Sequence, residues 1–164
     1  MANPLKMLKL KPTSFQFIQE LQIDAPPKRA WESLIDVRGW FTFNPAMSNK
    51  GRKLELWPGG RFYNTLPDGT EMLYAFVTHI ERGKLLRLRG QMGNTHLPMD
   101  GVFIFEIQER GSSGSLLRFC QRTFGFLDAD VKKKMAGGWE KLLPQLKALA
   151  EGNMKKAGTA DKRR

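Results

Sequence analysis

Between Ser14 and Ile23 the chain alternates. Phe15, Phe17, Leu21 and Ile23 fall on one parity, and Gln16, Glu20 and Gln22 on the other. A period of two predicts a strand with one buried face. The spacing then lengthens. Ala30, Trp31, Leu34 and Ile35 recur as on a helix, after Pro26 and Pro27. Prolines suit a first helical turn, where a missing N–H costs little. Asp24 is placed to cap that helix. Gly39 breaks the period, so the segment DVRGWFTFNP, 36–45, predicts a second, short helical turn.

Strand patterns follow. From Gly51 to Glu81 three strands are separated by Pro-Gly-Gly at 58–60 and Pro-Asp-Gly at 67–69. Gly83 turns the chain into KLLRLRGQM, a longer loop GNTHLPMDG comes next, and VFIFEIQER and SLLRFCQRTFG flank the turn GSSG. This spacing of turn signals predicts an antiparallel meander. Arg87 and Arg89 oppose Leu86 and Leu88, and Arg118 and Arg122 oppose Leu117 and Phe119. With the arginines in water, Leu86, Leu88, Phe103, Phe105, Ile107, Leu117 and Phe119 lie inside. The same parity turns Gln121 and Thr123 inward, with Phe62 and Asn64, and with Tyr74, Phe76 and Thr78. Polar groups there are either half-exposed strand ends or orienting groups in an apolar pocket.

The last stretch changes period again. Val131, Met135, Trp139, Leu142, Leu143, Leu146 and Leu149 form a helical stripe. Asp128 and Asp130 suit its start and Gly152 its end. Pro144 predicts a kink near Gln145, and Gly137-Gly138 either weaken the helix or admit another backbone. An antiparallel sheet needs a cover for its apolar face, and this helix is the one long amphipathic element available. The predicted class is therefore α+β: a seven-stranded curved antiparallel sheet around a long C-terminal helix, with two short helices after the first strand. The domain is expected over 15–150, between a basic extension, 1–14, and a basic tail, 151–164.

The segments IDAPPKRAWESLIDVRGWFTFNP, PGGRF, FVTHIERGKLLRLRG and GGWEKLLPQLKAL, in this order, resemble the SRPBCC superfamily of helix-grip proteins. The similarity is greatest to its polyketide cyclase/dehydrase-like and heat-shock-ATPase-activator-like branches and covers about Phe15 to Ala150. The superfamily shares a fold and no catalytic set. The resemblance implies a hydrophobic cavity between sheet and last helix, used for lipids, polyketides or other apolar molecules. Its expected walls are Trp40, Trp57, Phe62, Tyr74, Phe76, Leu88, Phe105, Phe119, Trp139 and Leu143, with Gln121 and Thr123 as polar groups. Trp40, Phe41 and Phe43 would form one rim, either lining the cavity or plugging the sheet's open end. His96, Leu97 and Met99 would form a facing rim.

Composition adds charge to this picture. The 164 residues carry a net +11, from 27 Lys and Arg against 16 Asp and Glu. Each end, 1–14 and 151–164, contributes three positive charges net, so the middle keeps five. Such ends either solubilise or attract an anionic surface or acidic partner. No apolar run approaches the length of a membrane span. The start lacks the apolar centre of a secretion signal, and Cys120 is the one cysteine, which together suggest a cytoplasmic address.

Catalytic signatures are sparse. His79, His96 and Cys120 show no metal-ligand spacing, no nucleophile elbow occurs, and neither glycine turn is a phosphate loop. No metal or cofactor is expected. The leading function is a binder or carrier of a small hydrophobic ligand. One alternative is a cyclase or dehydratase in which Tyr74, Thr123, Gln121 and His96 orient substrate or move protons. Another is a basic module, with Arg87, Arg89, Arg118, Arg122 and the two ends meeting nucleic acid, an anionic membrane or an acidic protein.

Overall fold

The computed structural model describes residues 9–42 and 48–153. The elements follow the predicted order. Strand β1 (Thr13–Ile23) leads into helix α1 (Pro27–Ile35) and the single turn α2 (Val37–Trp40). Strands β2 (Arg52–Leu54), β3 (Arg61–Thr65), β4 (Glu71–Glu81), β5 (Leu85–Gly90), β6 (Met99–Arg110) and β7 (Gly114–Gly125) follow, then helix α3 (Ala129–Ala150). The strands form one seven-stranded sheet in the order β1-β7-β6-β5-β4-β3-β2. Every neighbouring pair is antiparallel. The α+β helix-grip reading is borne out.

Local chemistry explains the joints. Asp68 Oδ1 accepts from the Thr70 N–H at 2.9 Å, and Gly69 supplies the positive φ of 86° that the turn into β4 requires. Gly51 packs so tightly that a Cβ there would stand 1.9 Å from the Thr65 carbonyl oxygen. Asp128 caps α3, accepting from the Val131 N–H at 2.8 Å. Asp24 does not cap α1, whose N-cap is Pro26. Its carboxylate instead accepts from Arg110 Nη2 at 2.7 Å. Helix α3 continues through Pro144, which is exposed. The carbonyl that the proline cannot satisfy is therefore open to water. A Cβ on Gly137 would meet open space, so no backbone packs closely there.

Alternation fails at one place. Phe76, expected inside, is 45% exposed, and Thr78 is exposed too. The first of two irregularities in the pairing of β4 explains it. Phe62 pairs with Ala75 but Tyr63 with Leu73, so Tyr74 is an extra residue on β4. Val77 pairs with Leu88 and His79 with Arg87, so Thr78 is another. Each bulge reverses the side on which the next residue points. Tyr74, Ala75 and Val77 thus face the core.

Helix α3 lies on the concave side of the sheet. Its Trp139 ring sits 4.2 Å from Phe119, 5.9 Å from Phe103 and 6.1 Å from Phe105, centroid to centroid. A smaller cluster of Leu97, Met99, Leu127 and Met135 closes the other end of the helix.

Candidate functional site

Apolar side chains of the described residues pack between the sheet, α2 and α3. Among them is an apolar void of about 10 Å³, lined by Leu34, Val37, Trp40, Phe41, Leu54, Phe62, Leu86, Leu88, Met92, Phe105 and Trp139. That is room for about one water-sized sphere. Aromatic rings make up much of its border. Phe41, wholly buried, is the central one. Its ring lies 4.8 Å from Phe62, 5.3 Å from Tyr74, 5.5 Å from Trp40 and 6.2 Å from Trp139. Trp40 is fixed from the other side, Nε1 donating to the Leu34 carbonyl at 3.0 Å.

Of the expected wall, Trp40, Phe62, Leu88, Phe105 and Trp139 border the void. Tyr74, Phe119 and Leu143 are buried in the same cluster. Trp57 is 55% exposed in the turn after β2, and Phe76 points outward, so neither is a wall residue in this structure. Phe43 lies outside the described residues. The facing rim does not assemble. His96 is exposed, and Leu97 and Met99 pack with Leu127 and Met135 in the separate cluster. Within their loop, Gln91 Nε2 donates to the Leu97 carbonyl at 3.0 Å. Met92, just before it, lines the void instead, with an unusual φ of 49°.

Two polar groupings accompany the rings. In the first, Trp139 Nε1 donates to Gln121 Oε1 at 2.6 Å, and Gln121 Nε2 donates to Thr123 Oγ1 at 2.8 Å. Gln121 and Thr123 are inside, as the parity predicts, and their partners are protein groups. The second grouping was not anticipated. Arg52 is only 3% exposed. Its Nη1 donates to the Phe41 carbonyl, and its Nη2 to the Tyr74 hydroxyl at 3.3 Å. The guanidinium carbon lies 5.3 Å from the Phe41 ring centroid and 5.6 Å from that of Tyr74. Among the described residues, Arg52 Nε has no partner, nor has Oδ1 of the buried Asn64 opposite it on β3. The signal was present: Arg52 shares its parity with Leu54 and Leu56, while Lys53 and Glu55 take the other.

A family model described as Activator of Hsp90 ATPase homolog 1-like protein matches residues 24–151. The chain belongs to this family. A search of curated proteins found no match. Among solved structures, an uncharacterised Rhizobium leguminosarum protein shares 17% identity over 87% of this chain and 97% of its own, with a TM-score of 0.67. The Enterococcus faecalis protein EF2215 shares 22% identity over 88% of this chain and 78% of its own, with a TM-score of 0.63. Ara h 8.0201 shares 14% over 86% of this chain and 100% of its own, also at 0.63. These neighbours share the fold, and the superfamily resemblance read from the sequence holds.

This member of the activator-like family has an outer sheet face that is less bare than its arginines suggest. Arg89 pairs with Asp100 at 2.6 Å, and Arg118 pairs with Glu20 at 2.8 Å. Arg122 Nε donates to Gln16 Oε1 at 3.1 Å. The Asp100 carboxylate holds the Arg89 guanidinium above its ordinary range, chiefly through the hydrogen bond. His79 is also on this face, 3.2 Å from Glu81. Among the described residues, no group of three or more His, Cys, Asp or Glu side chains could hold a metal ion. No described helix is long and apolar enough to cross a membrane.

Proposed function

We propose that the protein binds a small, largely apolar molecule between its sheet and α3. The observation that carries this reading is the convergence of apolar side chains from both short helices, four strands and α3 on one unfilled point. Small-molecule sites combine such walls with a few polar groups. The buried polar groups beside it are a guanidinium, two amides and hydroxyls. None of these is a general base near neutral pH, which favours holding a ligand over converting one. In this reading the ligand takes the place of the Phe41 ring, which borders the void beside Trp40, Phe62 and Trp139.

The test uses N-phenyl-1-naphthylamine, a neutral dye that brightens in apolar surroundings. The wild-type chain is expected to bind it, and Phe41→Ala to bind it more tightly. That substitution removes the plug and costs about 3–5 kcal/mol of stability. Leu88→Trp should fill the remaining space and weaken binding. A folded wild type and Phe41→Ala that both leave the dye dark would end the proposal.

A further inference from the structure

Among the described residues, Arg52 is a buried cation without a counter-charge. The guanidinium of arginine stays charged throughout the physiological range. Among the described residues it meets a carbonyl, a phenol and two ring faces, and no carboxylate pairs with it. Burying an unpaired charge costs several kcal/mol. Clamping the Phe41 carbonyl does not require that charge, because a neutral amide donates as well. One donor, Nε, has no partner among the described residues. Beside it stand Phe41 and Tyr74, and Phe41 also borders the void. The cation is therefore one ring's width from the apolar space.

We propose that Arg52 receives the carboxylate of an amphipathic acid whose apolar part replaces the Phe41 ring in the void. This rests on the binding role proposed above and names the ligand's chemical class. A guanidinium presents its Nε and one Nη as a planar fork that matches a carboxylate. A single guanidinium balances one negative charge. A phosphate dianion would leave net charge buried, so a monocarboxylate fits better.

The experiment measures binding of decanoate and of decanol to the full chain, by calorimetry and by the shift in unfolding temperature. The wild type is expected to bind the acid about tenfold or more tightly than the alcohol, as a charge-assisted hydrogen bond provides. Arg52→Gln, which keeps neutral donors, should lose that preference and still bind decanol. Equal affinities in the wild type would overturn the role of Arg52 and leave the binding site standing. Binding of neither ligand would remove both. A folded Arg52→Gln that still prefers the acid would also overturn the assignment. The wild-type comparison decides by itself if the variant does not fold.

Discussion

Trp139 reaches from α3 to the sheet and spends its one N–H on Gln121. Replacing Gln121 with Met keeps the volume and strands that donor. The expected cost is about 1–3 kcal/mol in urea unfolding, the penalty of a buried unmet group. Adding Trp139→Phe to Gln121→Met should cost less than the two single changes summed, because the orphan has gone. Strict additivity would show the bond to be energetically idle. Residue-level reading succeeded where alternation is regular, as at Gln121, Thr123 and Phe119. It failed at Phe76, since alternation cannot reveal an extra residue in a bulge. It also missed Arg52, because a strand of three residues is too short for its pattern to outweigh a charge.

At the scale of elements, turn glycines and periodicity placed every strand and helix in order. Asp24 shows where this stops: an acid near a helix start reads as a cap, yet Arg110, far away in sequence, claims it. Pro144 is the complementary case. Its ring is exposed, so water can meet the carbonyl it leaves open. Pro144→Ala should therefore stabilise the protein, by up to about 3 kcal/mol, as a helix-breaking residue is removed. The readout is the thermal midpoint. An unchanged or lowered midpoint would mean that α3 owes its fit against the sheet to the proline's shape. The place of the loop around His96 was not legible for another reason. Loop position depends on bonds such as Gln91 to the Leu97 carbonyl, which no local pattern encodes.

For the molecule as a whole, a sheet gripping a helix was legible, while the state of its interior was not. Whether facing walls leave a space depends on the rotamers of rings such as Phe41 and Trp139, and identical patterns serve full and hollow cores. The net charge was legible too, but its use on the outer sheet depends on ion pairs across strands, such as Arg89 with Asp100. Of the basic ends, 1–14 and 151–164, residues 1–8 and 154–164 lie outside the described residues, and a role for these ends in meeting anionic surfaces stays a proposal.

Pairing of β1 with β7 sets Thr13 beside Gly125 and Ile23 beside Ser115. The first strand made must wait for the last, roughly a hundred residues later, and closing so long a loop is slow. On the ribosome, then, the apolar side of β1 is bare through most of synthesis. Nascent chains halted at Gly114 should be cleaved readily by protease, and resistance should arise only once α3 has emerged. Resistance in the halted chain would mean that a smaller unit folds first. Because β1 stays an unmatched edge until β7 is made, this domain is most exposed to misassembly before its sheet closes.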